Sequence, residues 1–360
     1  MATDTSTITD PDKMYQALKA KLHDVVPDAE LFYKSKIAAQ INALKKERNA
    51  VILGHNYMEP TLFHSIPDFI GDSLELSRKA AVSEADIIVF CGVRFMAETA
   101  KILNPSRTVL LPARVAGCSL ASAITADDVR KLKAKYPGVP VVTYVNTYAD
   151  VKAETDICCT SGNAAEVVAS LGAQRIIFLP DEYLARNIAR ETGKTIIFPS
   201  SAPKAAADKD PNLEYDMIGW HGRCEVHEKF TVQDIDDVRA QFPDVLILAH
   251  PECSPEVVAA SDYSGSTTAM MKYVADSKAP RYLLLTECSM ADNIMGANPD
   301  KEMLRMCSVR CPHMNEITLQ DTLLALQKTR YVIDVPEEIR VKAFQAVDRM
   351  IKIGGKGKHD

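Results

Sequence analysis

Three cysteines, Cys118, Cys224 and Cys311, stand far apart in the chain, yet each closes the same local plan. Soft thiolates at separate but equivalent places suit an iron–sulfur cluster. Three ligands for a four-iron cluster would leave one iron open, a position for Lewis-acid chemistry such as helping a hydroxyl depart. Their contexts, Ala116-Gly117-Cys118, Gly222-Arg223-Cys224 and Arg310-Cys311-Pro312, read as tight loops. Taken alone, three cysteines also fit buried structural thiols.

Two further sets of polar residues keep the same rhythm. His55-Asn56-Tyr57, Tyr144-Val145-Asn146 and His250-Pro251-Glu252 each end an apolar, strand-like run, beginning at Val51, Val141 and Val245. In parallel α/β units, ligands bind beyond the carboxyl ends of strands, so His55, Tyr57, Tyr144, Asn146, His250 and Glu252 are site candidates. The second set is Asp72-Ser73, Thr160-Ser161 and Ser266-Thr267, each just before a helical pattern. Hydroxyls there are common N-caps. Three helix N-termini facing one centre would also hold a polyanion, a carboxylate or phosphate ligand rather than an apolar one. There is no GxGxxG or GxxxxGK[ST] phrase, which disfavours the usual nucleotide loops.

The elements that must position these residues form an internal repeat. Segments beginning at Asp68, Asp156 and Asp262 are separated by 88 and 106 residues. Each is followed by a helical stretch and a second strand, Asp86–Phe90, Arg175–Leu179 and Arg281–Leu285, and then by its cysteine. Alternating strands and helices imply parallel sheets. The expected fold is α/β, three similar Rossmann-like α/β/α units with short parallel sheets around a pseudo-threefold axis. The expected division is 1–36 (N-terminal leader and helix), 37–138 and 139–243 (units one and two, each with a linker helix), 244–330 (unit three) and 331–360 (C-terminal helix and tail). Helices are expected across 13–48, divided at Pro27, and near 126–135, 231–241 and 318–329. A last helix should start at Pro336, with Asp334 as its cap. Phe90 to Cys118 is 28 residues and Leu284 to Cys311 is 27, but Phe178 to Cys224 is 46, which places an insertion near Pro199–Asp216.

Composition sets the class. The 360 residues are 47% apolar and 25% charged, with a net charge of −6, which argues against a general nucleic-acid surface. No apolar run approaches the roughly 18–20 residues that span a bilayer. Met1–Asp12 is polar and acidic and reads as the disordered leader of a cytoplasmic protein. Nine cysteines without a CxxC pair fit thiols or a metal site rather than a disulfide framework. The neighbours Cys158 and Cys159 read as two buried thiols, because a vicinal disulfide is strained.

The chain resembles the quinolinate synthase family, the A-type protein of NAD biosynthesis, over about residues 37–330. The phrases that carry the likeness include His55-Asn56-Tyr57, Gly71-Asp72-Ser73 and Gly92-Val93-Arg94-Phe95-Met96-Ala97-Glu98-Thr99-Ala100. Others are Tyr144-Val145-Asn146-Thr147-Tyr148-Ala149-Asp150, Cys159-Thr160-Ser161, Gly222-Arg223-Cys224-Glu225-Val226-His227, His250-Pro251-Glu252-Cys253 and Cys311-Pro312-His313-Met314. The resemblance implies three α/β domains around a pseudo-threefold axis, with one 4Fe-4S cluster per chain held by Cys118, Cys224 and Cys311 and one iron open. It implies condensation of iminoaspartate with dihydroxyacetone phosphate to quinolinate, phosphate and two waters. His55, Ser73, Tyr144, Asn146, Ser161, His250, Glu252 and Thr267 then correspond to substrate contacts. Glu252 is the expected general acid/base, with Tyr57 and Tyr144 relaying protons or orienting the intermediate. His227 would orient substrate, shuttle a proton or support the cluster. Iminoaspartate hydrolyses readily, so an L-aspartate oxidase or dehydrogenase must supply it. One departure concerns relatives with a CxxC at the third cysteine, since Cys307 and Cys311 here are one residue further apart. The open alternatives are another 4Fe-4S hydro-lyase, a zinc enzyme using His and Glu, and a non-catalytic small-anion-binding protein.

Overall fold

Short runs rich in Ile, Val and Leu, buried in the central strands of each sheet, build three parallel sheets in this computed structural model, which describes residues 4–199, 214–306 and 308–354. In the first, β1 (Ala50–His55), β2 (Phe69–Gly71), β3 (Ile87–Cys91) and β4 (Thr108–Leu110) lie in the order β2-β1-β3-β4. The second contains β5 (Val141–Tyr144), β6 (Ile157–Cys159), β7 (Ile176–Leu179), β8 (Ile196–Ile197) and β9 (Met217–Ile218), in the order β6-β5-β7-β9-β8. In the third, β10 (Leu246–Ala249), β11 (Tyr263–Ser264), β12 (Arg281–Leu285) and β13 (Glu302–Leu304) repeat the first order, β11-β10-β12-β13. The strand order reverses between the first and third strands of each unit, which opens a crevice at their carboxyl ends.

The repeated aspartates have a backbone task. Asp68, Asp156 and Asp262 each accept an amide of the neighbouring first strand, from Ile52, Val141 and Ile247, at 2.8 Å in every case. Each also donates its own amide to that same residue's carbonyl, at 2.9, 3.1 and 2.8 Å. One side chain thus sets the start of the second strand beside the first, three times over. The repeat also extends past the cysteines. Seven residues after each stands a threonine, Thr125, Thr231 or Thr318, whose hydroxyl caps the helix Ala126–Lys135, Val232–Gln241 or Leu319–Lys328.

The second unit departs from the other two. Its extra strand β8 pairs with β9 at the sheet edge, so the insertion already begins at Ile196; most of the expected Pro199–Asp216 stretch lies outside the described residues. Its helix, expected directly after Thr160-Ser161, starts only at Ala164. The cause is Asn163, whose Oδ1 accepts the amide and hydroxyl of Thr160 at 2.7 and 3.1 Å and closes a separate turn.

The N-terminal helices Pro11–Leu22 and Asp28–Glu47 flank Pro27 as expected. The C-terminal helix runs from Glu337 to Lys352, with Pro336 at the cap position and no side-chain cap bond. Asp334 therefore sits two residues before the cap and does not serve it. The helix end ties two units together. Asn163 donates to the carbonyls of Met350 (3.1 Å) and Ile353 (2.8 Å), while Arg78, on the first unit's helix Ser73–Ala81, donates to Ile351 (2.9 Å). Arg78 lies on the helix that begins at the candidate Ser73, and Asn163 closes the turn that contains the candidate Ser161.

Asn163 is fully buried with both ends of its amide engaged. Its loss strands several backbone groups at once. Asn163→Ala should lower the unfolding free energy by about 2–4 kcal/mol. Arg349→Ala, which removes one exposed bond to the Asp156 carbonyl, should change it by less than about 0.5 kcal/mol. Urea unfolding midpoints of the two variants test this, and equal midpoints would refute the clasp.

Candidate active site

The loops beyond β1, β5 and β10, the three hydroxyl segments and the three cysteine turns converge on one cavity. The space among its lining atoms is about 650 Å³, including the part open to solvent. The candidate ligands Cys118, Cys224 and Cys311 line it. So do the acid–base candidates Tyr57, Tyr144, His227 and Glu252, and the contact candidates His55, Ser73, Asn146, Ser161, His250 and Thr267.

The cysteine turns are built alike. Each carbonyl accepts the amide four residues on: Ser122 to Cys118 (3.1 Å), Glu228 to Cys224 (3.0 Å) and Asn315 to Cys311 (3.2 Å). In each turn, the amides two and three residues after the cysteine point at its sulfur. Gly222 lets the second turn form, since a Cβ there would come within 2.5 Å of the Pro180 carbonyl oxygen. Burial pushes the Cys118 thiol up to about 12 and Cys311 to about 11, and Cys224 also rises, first by burial and then by the negative charge of Glu252. Thiols in this state need a bound cationic centre to ionise, and a coordinating metal does that. Free sulfurs, paired amide donors and shared access to one cavity fit a cluster with three protein ligands.

Beside the thiols lies a directional hydrogen-bond network. His55 Nδ1 accepts the Tyr57 amide (3.2 Å) and His250 Nδ1 accepts the Glu252 amide (3.3 Å), so each neutral ring carries its hydrogen on Nε2. Burial holds both imidazoles down to about 3 and keeps them neutral. His250 Nε2 donates to Ser161 Oγ at 3.3 Å. Glu252 is buried, which by itself raises its pKa, yet His227 first and then the Tyr144 hydroxyl hold it below the ordinary carboxylate range. Its Oε1 accepts from the Tyr144 hydroxyl (2.5 Å) and Asn146 Nδ2 (3.3 Å), and its Oε2 from His227 Nδ1 (2.7 Å). Burial, and then Glu252, push the Tyr57 and Tyr144 phenols up, so both remain donors. Asn146 Oδ1 is buried and has no partner among the described residues, an acceptor suited to a ligand N–H or O–H.

The helix ends offer less than the sequence pattern promised. Asp72 Oδ1 already accepts the Leu74 and Glu75 amides, and Ser266 Oγ accepts that of Ala269. Thr267 Oγ1 accepts from Asn56 Nδ2 at 2.9 Å, which fixes it across the first and third units. Donation to an anion therefore falls mainly to hydroxyls and imidazoles.

Some participants escaped sequence reasoning. Thr286, just past β12, bonds His227 Nε2 (2.9 Å) and the Tyr57 hydroxyl; its place at a strand's carboxyl end was the available signal. Lys152 is fully buried and donates to the carbonyls of Val145 (2.8 Å) and Thr147, framing the loop that displays Tyr144 and Asn146. Glu98 braces the same loop, accepting the Ala149 amide (2.9 Å) with one oxygen and Arg94 Nε (2.7 Å) with the other. Cys224, His227 and Glu252 offer ligand atoms within 4.8 Å of one another, the zinc geometry left open above. Both nitrogens of His227 are committed, however, to Glu252 and Thr286, so a zinc ion would have to break one of these bonds. The neighbours Cys158 and Cys159 are free, buried thiols, while Cys307 lies outside the described residues.

A family model described as Quinolinate synthetase A protein matches residues 39–352, so the likeness takes in the C-terminal helix as well. The chain is 54% identical to quinolinate synthase 2 of Mesorhizobium japonicum over 86% of this chain and 89% of that one. It is 50% identical to the quinolinate synthase of Agrobacterium fabrum, over 94% and 93%. With that of Xylella fastidiosa it shares 52% identity, over 86% and 85%.

Lys152 gives the loop around Asn146 its shape. Replacing it with methionine keeps the apolar stem but leaves two buried carbonyls without their donor. Lys152→Met should cost about 2–4 kcal/mol in denaturant unfolding; a loss under about 0.5 kcal/mol would show that the loop holds itself.

Proposed function

We propose that this chain, which belongs to the quinolinate synthetase A protein family, makes quinolinate by condensing iminoaspartate with dihydroxyacetone phosphate, releasing phosphate and two waters. The observation that carries the reading is the meeting of three alike cysteine turns and one buried carboxylate network in a single cavity. The three α/β units serve as its scaffold, one cysteine from each, with boundaries near 138, 243 and 330. A 4Fe-4S cluster held by Cys118, Cys224 and Cys311 would supply an open iron as a Lewis acid for hydroxyl departure.

The chain's own residues divide the remaining work. His55 and His250, neutral with hydrogen on Nε2, join the hydroxyls of Ser73, Ser161 and Thr267 in binding the carboxylates and phosphate. Asn146 Oδ1 accepts from the substrate nitrogen and orients it. Glu252, kept ionised, takes the proton released as the new bonds form and returns it in a dehydration step. Tyr57 and Tyr144 are protonated donors beside it, and His227 steadies the carboxylate. Iminoaspartate reaches the site from an L-aspartate oxidase or dehydrogenase. The setting is cytoplasmic, without nucleic acid or membrane; no helix among the described residues is long and apolar enough to cross a bilayer.

Protein purified without oxygen should carry about four iron and four sulfide per chain and release quinolinate and phosphate in equal amounts. Cys118→Ser, Cys224→Ser and Cys311→Ser should each lose the cluster absorbance and the activity. Glu252→Gln should keep the iron and lower kcat by roughly 100- to 10,000-fold. Turnover without phosphate would point to another hydro-lyase, zinc in place of iron to a zinc enzyme, and neither metal nor turnover to a simple anion binder.

A further inference from the structure

Thr286 is buried at the end of β12 and does not line the cavity, yet it touches two groups that do. Its hydroxyl lies 2.9 Å from His227 Nε2 and in hydrogen-bond contact with the Tyr57 hydroxyl. The other ring nitrogen, Nδ1, sits 2.7 Å from Glu252 Oε2, so Thr286 and Glu252 grip the imidazole from its two sides. The Tyr57 hydroxyl also lies 3.4 Å from His227 Nε2, and Thr286 spans the two groups.

We propose that Thr286 is a positioning residue for the reaction: its hydroxyl locks the ring orientation of His227 toward Glu252 and holds the Tyr57 hydroxyl at its place on the cavity wall. This rests on the functional reading above. Valine matches threonine in shape but cannot bond. In its presence the Tyr57 hydroxyl closes onto Nε2, and a catalytic group shifts from its working place. Displacements of this kind cost turnover far more than ground-state binding.

The test compares Thr286→Val and Thr286→Ser in the anaerobic holoenzyme. Thr286→Val should retain its iron and sulfide and keep KM for both substrates within about threefold while losing roughly 100-fold in kcat. Thr286→Ser, which restores the hydroxyl, should recover to within about threefold of wild type. A crystal structure of the holo valine variant, independent of turnover, should show the Tyr57 hydroxyl shifted toward His227 Nε2, well inside the 3.4 Å that separates them with threonine present. A valine variant as fast as wild type, a serine variant as slow as the valine one, or an unmoved Tyr57 would each overturn the proposal. If wild-type protein makes no quinolinate, the functional reading fails, and the crystal structure still decides whether Thr286 holds Tyr57 and His227 as described.

Discussion

A carboxylate buried in a cavity is an electrostatic difficulty, and the site is organised around its solution. Desolvation drives Glu252 toward its neutral form. Against this stand direct hydrogen bonds from His227, Tyr144 and Asn146. These donors come from the end of β5, the loop after it and the loop after β9, while Glu252 itself follows β10, so the charge can be kept only if separate parts of the chain meet correctly. The same contacts commit His227 and Tyr144 to single orientations. Charge stabilisation and preorganisation are here one set of bonds.

That meeting depends on devices remote from the chemistry. The three aspartate clamps fix where each second strand lies, and the next residues run into the hydroxyl segments at the cavity. The capping threonines fix where each helix begins after its cysteine, which holds the turn that aims two amides at the sulfur. Lys152 and Glu98 supply what the second loop lacks, a buried cation and a carboxylate in place of backbone partners. A buried lysine is costly to desolvate, and its pKa is lowered accordingly. It is tolerated because its ammonium hydrogens meet carbonyl oxygens at close range.

Much of this was legible in the chain because it repeats. The spacing of aspartates, strand-ending clusters and cysteines predicted three parallel sheets and brought together residues that line one cavity. The sequence-based account of helix N-termini fell short at Asp72 and Ser266, because a cap that marks a helix start also consumes the amides that would bind an anion. Thr286, Lys152 and Glu98 were hidden for a different reason. Each acts through a backbone group or a neighbouring side chain, and no residue type or spacing announces such a partner. Asn163 was likewise invisible, since its turn and its hold on Met350 and Ile353 join stretches nearly two hundred residues apart.

The repeat is symmetric in backbone and asymmetric in function, and the second property requires the first. Equivalent positions after the first strands carry His55 and Tyr57 in one unit, Tyr144 and Asn146 in the next, and His250 and Glu252 in the third. Each backbone delivers its side chains to a comparable place, so changing the residue type changes the chemistry without moving the site. The imidazoles of His55 and His250 illustrate the economy: in each, the amide two residues on donates to Nδ1, so the ring that burial keeps neutral carries its hydrogen on Nε2. In the second unit a tyrosine stands there instead, and its hydroxyl completes the shell of Glu252 from the third. The cysteines follow the opposite rule, remaining the same residue in the same turn, so that three like sulfurs face one cavity.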